Sequence, residues 1–139
     1  FNMLINNELL LKFGGVKKTY KQGDIIMKKG KYAEFYYQIL KGKAIRNNFY
    51  QEKIILKSML VKGQSLGEAF LFTNNSYSIT IQAIDDCHII RLEKYKFFNL
   101  LEEHPHLYLI LCQCMSEKLV YKFSKIQSIS TNTLRNKSR

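Results

Sequence analysis

The chain has 139 residues, a formal net charge of +11 and a hydrophobic content of 46%. This length and composition predict one folded domain with a core of its own and exclude an intrinsically disordered chain. No apolar run approaches the ~18 residues that span a bilayer, and no signal-peptide pattern opens the chain, so we expect a cytoplasmic protein without membrane contact.

The positive charge raises the question of whether this chain contacts nucleic acid directly. Its lysines are scattered from Lys12 to Lys137, and no stripe of clustered arginines is present. A DNA-contacting module concentrates its cations on one face or one helix. We therefore expect no nucleic-acid-binding surface in this segment, although a basic balance would still help a larger DNA-binding protein approach its target.

Short strands separated by turns dominate the first two thirds of the chain. Residues 6–13 predict a short helix, which Gly14 and Gly15 end. The strand-like runs that follow cover residues 17–20, 25–27, 35–40, 44–49, 54–60, 77–84 and 87–92. Glycine-bearing turns at this spacing predict an antiparallel sandwich or jelly roll rather than alternating β-α units.

A glycine–acid corner interrupts these strands and is the best candidate for a binding site. The run that ends at Gly63 is followed by a loop through Gly67 and Glu68, and then by one apolar helical turn that starts at Ala69 and Phe70. Glycine leaves its backbone amide unobstructed, so the chain can close on an anion there. Glu68 can accept hydrogen bonds from a sugar hydroxyl.

Helical periodicity replaces the strands after residue 92. Residues 93–103 predict one helix, and Pro105 begins a second one that runs to about Ile126. A helix of roughly 22 residues is about 33 Å long, which is more than a small barrel needs as a cap. We expect a second copy of the chain to cover its apolar stripe, although the helix could instead pack lengthwise on its own barrel. The predicted dimer interface comprises Leu107, Leu111, Cys114, Met115, Leu119, Phe123 and Ile126.

Four segments, at residues 20–30, 35–44, 63–68 and 87–98, follow one another in a familiar order and spacing. Together they resemble the cyclic-nucleotide-binding domains of Crp/Fnr-type bacterial transcription regulators. The resemblance implies a mainly β fold with flanking helices, namely a double-stranded β-helix (jelly roll) that senses a small effector, followed by a long C-terminal dimerisation helix. In these regulators a helix-turn-helix domain follows that helix, and effector binding repositions it for operator DNA.

The resemblance also implies an organisation of the chain. We expect an N-terminal helical segment (1–16), a β-roll effector domain (17–92), a hinge helix with a long dimerisation helix (93–126), and a polar linker or truncated end (127–139). The expected protein is a homodimer that meets operator DNA only through a domain not in this chain. The alternative is a standalone module that acts through protein contacts as a regulatory subunit or scaffold.

The resemblance assigns ligand-binding positions, with one departure from the family pattern. The cassette positions for backbone approach, ribose contact, the helical turn and a small hydroxyl fall on Gly67, Glu68, Ala69, Phe70 and Ser78. The arginine that pairs with the cyclic phosphate falls on Tyr77, a neutral phenol with one donor. Losing such a charge-assisted pair costs on the order of 2–5 kcal/mol. We therefore expect a small-molecule effector, with cAMP binding weak or absent.

Two residues of the long helix are further candidates for ligand contact. The polar residues that commonly reach an adenine base in this family align with Lys122 and Phe123. Phe123 could stack on an aromatic ligand and Lys122 could pair with an acidic one. The alternative is that Phe123 belongs to the dimer stripe and Lys122 is solvated.

A metalloenzyme built on a related β-roll is the main rival class. Such a site needs several inward-facing His and Glu residues on adjacent strands. Two of the three histidines, His104 and His106, instead flank Pro105 between the predicted helices. No cysteine precedes Cys87, so an N-terminal iron-sulfur cluster is not expected either. We therefore predict neither an enzyme nor a metal protein.

Overall fold

The short helix α1 begins the described part of the chain. The computed structural model describes residues 5–137, with side chains up to residue 128, so the ends of the predicted N-terminal segment and linker lie outside it. Helix α1 spans Asn7–Lys12. The side chain of Asn6 accepts hydrogen bonds from the backbone N–H groups of Glu8 and Leu9, which caps the helix.

Two antiparallel sheets form the body of residues 5–137. Their strands are β1 Val16–Tyr20, β2 Ile25–Met27, β3 Phe35–Lys41, β4 Ala44–Tyr50, β5 Lys53–Leu60, β6 Ser65–Leu66, β7 Ile79–Ala83 and β8 Cys87–Glu93. One sheet has the strand order β1-β8-β3-β6 and the other has the order β2-β7-β4-β5. The arrangement confirms the predicted mainly β jelly roll with flanking helices.

Strand β7 begins later than the sequence pattern predicts. The backbone N–H of Tyr77 donates to the carbonyl of Lys31 at 2.7 Å, and its carbonyl accepts from the N–H of Gly30 at 2.9 Å. These bonds tie residue 77 to a neighbouring loop, so regular sheet pairing starts only at Ile79. The predicted strand is therefore correct over Ile79–Ala83, but its first two predicted residues are not part of the sheet.

An aromatic stack joins the barrel to the first C-terminal helix, α2, which spans Lys94–Glu103. The rings of Tyr36 and Phe97 are both fully buried and lie nearly parallel, with centroids 4.3 Å apart. The Tyr36 hydroxyl donates to Gln38 at 2.7 Å, and the Gln38 amide donates to the carbonyl of Ile5 at 2.8 Å. The same buried strand thus anchors both α2 and the N-terminal segment.

Helix α3 spans His106–Lys137 and includes residues that the sequence predicted as a polar linker. No glycine or proline follows Pro105 to stop a helix, so the polar composition alone did not end it. None of the helices in the described part of the chain is long and apolar enough to cross a membrane.

The apolar stripe of α3 divides into a covered part and an exposed part. Leu107, Leu111 and Cys114 are buried within the protomer, in the cluster that also contains residues of α1 and α2. The first turns of α3 thus already pack against the barrel and α2, which leaves little of these three side chains for a second copy of the chain to cover. By contrast, Leu119 and Phe123 are 51% and 56% exposed. Met115 is partly buried, and Ile126 is exposed like the two residues before it on the stripe.

Candidate ligand-binding cavity

Gly67 forms the corner where β6 turns into a short helical segment. Its φ of +63° lies in the left-handed region, and a Cβ atom there would stand 2.9 Å from the sulfur of Met27. Both observations favour glycine. One turn of 3-10 helix, Glu68–Phe72, follows directly and places the side chain of Glu68 in the protein interior.

A cavity of about 330 Å³ lies between this corner and α3. Strand β4 contributes Arg46 and Asn48, and α3 contributes Met115, Lys118 and Lys122. Six of the predicted ligand-binding residues line it, namely Gly67, Glu68, Ala69, Phe70, Ser78 and Lys122. The tertiary structure thus brings the corner and the long helix together around one space.

Two predicted ligand-binding residues lie outside this cavity. Tyr77 packs edge-on against Phe70, with ring centroids 5.2 Å apart, and lines a separate cavity beside Met27 and Tyr37. Burial, followed by the nearby Glu34 carboxylate, raises the pKa of Tyr77 to about 12, so the phenol stays neutral. Tyr77 therefore does not line the cavity between the Gly67–Glu68 corner and α3. The exposed Phe123 is likewise absent from the cavity wall.

The carboxylate of Glu68 is bound by an ammonium group from the long helix. Lys118 Nζ lies 2.6 Å from Glu68 Oε1, and the two residues are only 9% and 3% exposed. Such a buried pair is held by both charge and hydrogen bonding. Glu68, which stands at the family's ribose-contact position, therefore already forms an ion pair with a residue of α3.

Arg46, like Lys118, is a charged cavity residue that the sequence analysis missed. It is 9% exposed and pairs with Ile81 across the sheet, on the face that also buries Ala44. Burial lowers the pKa of its guanidinium, while the charge of Glu68 opposes that effect. Its Nε atom has no hydrogen-bond partner within the described residues. The alternation of Ala44, Arg46 and Asn48 within β4 was the available signal, because residues two apart share one face.

The cavity wall carries more positive than negative charge. Its ionisable side chains are Arg46, Lys118, Lys122 and Glu68, so cations outnumber the single carboxylate by three to one. The pKa of Lys122 is lowered, first by burial and then by the positive charges of Arg46 and Lys118. Burial and two neighbouring cations together therefore disfavour the charged form of Lys122.

Replacing Lys122 by methionine is expected to increase stability at neutral pH. The folded-state pKa of Lys122 lies below its ordinary value of 10.5. The unfolded chain therefore holds this proton more readily, and the charged lysine opposes folding at all pH values below its folded pKa. That penalty is relieved as the pH rises through the folded pKa. Urea denaturation should give the variant a higher free energy of unfolding than the wild type at neutral pH. The difference between the two should narrow near pH ~10.

The matched control for this change is Lys17→Met, on an exposed position of β1. This change removes the same charge from a solvent-exposed site, away from the cationic cavity. Its free energy of unfolding should therefore lie within about 0.5 kcal/mol of the wild-type value. A Lys122→Met variant that is less stable than the wild type at neutral pH would contradict the prediction.

Metal binding has no support in the geometry of the described residues. No group of three or more His, Cys, Asp or Glu side chains within them is placed to hold a metal ion. The ring of His104 instead packs edge-on against Phe13, with centroids 5.9 Å apart.

A jelly roll closed by a long helix, over a cavity lined by both charged and apolar side chains, is typical of a ligand-sensing regulatory domain. The chain belongs to the cyclic nucleotide-binding domain family, whose sequence profile matches residues 17–104. Domains of this kind are regulatory or sensor domains rather than enzymes. No curated protein matches the chain in sequence.

Solved structures share the fold at low sequence identity. The catabolite activator protein of Thermus thermophilus superposes with a TM-score of 0.76 at 19% identity, over 88% of this chain and 58% of that protein. A transcriptional regulator from Thermotoga maritima gives 0.76 at 19% identity, over 91% and 99% of the two chains. The sensor domain of the regulator DNR from Pseudomonas aeruginosa gives 0.65 at 21% identity, over 84% and 78%. At these identities the three likenesses show that the fold is shared.

Proposed function

We propose that this chain is the small-molecule-sensing domain of a Crp/Fnr-family transcription regulator and that it does not bind cAMP tightly. The observation that carries this proposal is the cavity between the Gly67–Glu68 corner and α3, because it joins the ligand site directly to the helix that would transmit the signal. The similarity to the regulators from Thermus and Thermotoga supports a role in transcription. Operator DNA would be bound by a domain outside these 139 residues.

Two features of the cavity argue against tight cAMP binding. Residue 77 supplies a neutral phenol that lines a different cavity, so no cassette arginine faces a cyclic phosphate. Glu68 is engaged by Lys118, and a ribose would have to displace that ion pair to reach the carboxylate. Each feature removes binding energy that a cyclic nucleotide would otherwise gain.

Titration calorimetry with cAMP is therefore expected to give no saturable heat at micromolar nucleotide. A missing charge-assisted contact weakens affinity by roughly two to three orders of magnitude. The same titration with the Lys118→Met variant serves as a comparison, since that change frees Glu68 without supplying the arginine. A dissociation constant in the micromolar range or below for the wild type would refute this part of the proposal.

We further propose that the domain dimerises through the second half of α3. Leu119, Val120, Phe123 and Ile126 are each more than half exposed although they are large and apolar. A twofold copy of the same helix would bury this face against its equivalent. The buried residues before Met115 take no part in the proposed contact.

The variant Leu119→Glu/Phe123→Glu is expected to be monomeric under conditions in which the wild type is a dimer. Like charges facing each other across a twofold axis repel, and the apolar surface that would be buried is lost. Sedimentation equilibrium should give about 16.4 kDa for the variant and twice that mass for the wild type. Ile55→Glu, on an exposed site of β5, is the control and should remain dimeric. A wild type that is monomeric throughout would refute the proposed interface.

A further inference from the structure

We propose that the cavity binds a small organic dianion, held by Arg46, Lys118 and Lys122 rather than by a cassette arginine. This inference rests on the proposed sensing function and names the chemical class of its ligand. Dicarboxylates and phosphate monoesters share the required chemistry, because both present two negative charges on oxygen atoms that accept hydrogen bonds.

The strongest observation is the unpaired Nε–H of the Arg46 guanidinium. Arg46 is only 9% exposed and lines the cavity. Its Nε–H has no acceptor within the described residues. Buried donors and charges in proteins are normally paired, since an unpaired one is costly. A carboxylate or phosphate in the cavity would supply the missing acceptor in the bidentate geometry that arginine favours.

The second observation is the placement of two lysines on one face of α3. Lys118 and Lys122 are four residues apart, so both project from the same side of the helix, and both line the cavity. Glu68 neutralises one cation, and no carboxylate within the described residues forms an ion pair with Arg46 or Lys122. Two positive charges are thus left over, which matches a ligand with two negative charges.

The size and the apolar part of the wall indicate an organic ligand rather than a bare inorganic ion. At about 330 Å³ the cavity lies at the small end of the range for ligand sites. Phe70, Ile79, Met115 and Leu119 supply an apolar wall beside the cations. A short carbon skeleton can pack there while its acidic groups meet Arg46 and Lys122.

The test measures thermal unfolding of the wild type in succinate and in glycerol phosphate, each against potassium chloride at equal ionic strength. We expect at least one dianion to raise the melting temperature in a saturable manner, whereas the uncharged analogues succinamide and glycerol do not. A response to succinate alone assigns a dicarboxylate, and a response to glycerol phosphate alone assigns a phosphate ester. If neither dianion shifts the melting temperature beyond chloride, the inference is overturned.

Two variants locate the effect. Lys122→Met and Arg46→Met should each weaken the dianion response by about tenfold or more, and both should be more stable than the wild type without ligand because they relieve crowded positive charge. A purely structural arginine would instead lose stability when replaced. Lys17→Met, on exposed β1, should respond like the wild type. An equal response in all three variants would place the anion elsewhere and overturn the inference.

The outcome for this inference is separable from that for the proposed function. Tight cAMP binding by the wild type would contradict the proposed function itself. Absence of both cAMP and dianion binding would contradict only the ligand class, because the domain could then sense an uncharged molecule.

Discussion

Glu68→Gln is expected to lower the free energy of unfolding by about 3–5 kcal/mol, the usual cost of removing one partner from a buried ion pair. The carboxylate lies 2.6 Å from Lys118 Nζ, and both residues are buried. Glutamine keeps the shape of the side chain but leaves the ammonium group unpaired. Arg46 and Lys122 line the same cavity, so the unbalanced charge has cations rather than an acid as its neighbours. Urea denaturation followed by circular dichroism measures the loss.

The double variant Glu68→Gln/Lys118→Met separates loss of the pair from the cost of an orphaned charge. Replacing a buried ion pair by neutral side chains is often close to neutral for stability. The double variant should therefore recover most of the loss, and the thermodynamic cycle should give a large coupling energy.

An exposed ion pair of the same chain provides the control. Glu93 lies 4.0 Å from Lys96, and their side chains are 48% and 34% exposed. Glu93→Gln should cost no more than about 1 kcal/mol. Equal losses for Glu68→Gln and Glu93→Gln would show that the Glu68–Lys118 contact does not stabilise the fold.

Phe97→Ala is the second large effect, with an expected loss of about 3–5 kcal/mol. The Phe97 ring is fully buried, stacks on Tyr36 at 4.3 Å, and meets the edge of Phe72 at 6.5 Å. Alanine would leave a cavity under α2 that the rigid β3 backbone cannot fill. The change should be visible in the same denaturation experiment as a lower midpoint with an unchanged slope.

Phe97 also links the ligand corner to the C-terminal helices. Phe72 ends the helical turn that begins at Glu68, and α2 leads directly into α3. Tyr95→Ala is the matched control, because Tyr95 lies on the same helix but is 59% exposed. It should change stability by about 0.5 kcal/mol or less. A Phe97→Ala loss as small as that of Tyr95→Ala would mean that the stack does not hold α2 to the barrel.

The candidate site was predictable where a residue's role depends on its immediate neighbours in sequence. Gly67 and Glu68 were identified because a glycine–acid pair between a strand and a helical turn has a local meaning. Arg46 was missed because the run Arg46-Asn47-Asn48 is polar throughout and looks like a solvated strand. Only the packing of β4 between β5 and β7 turns its alternate residues inward.

The same limit explains the two outcomes for α3. Its periodicity correctly predicted one apolar stripe, since 3.6 residues per turn place those side chains on one side. Periodicity carries no information about what covers the stripe. Leu107 and Leu111 are covered by the protomer itself, while Leu119 and Phe123 are exposed and form part of the proposed dimer contact.

The sequence alone determined the jelly-roll fold with flanking helices, the glycine corner at Gly67 and the presence of a long helix after Pro105. These follow from alternation, turn chemistry and helix period, each of which is encoded within a few consecutive residues. The tertiary structure alone decided that Tyr77 faces another cavity and that Arg46 and Lys118 meet beside Glu68. The charge of a cavity is a sum over side chains far apart in the chain, so no local pattern could have specified it.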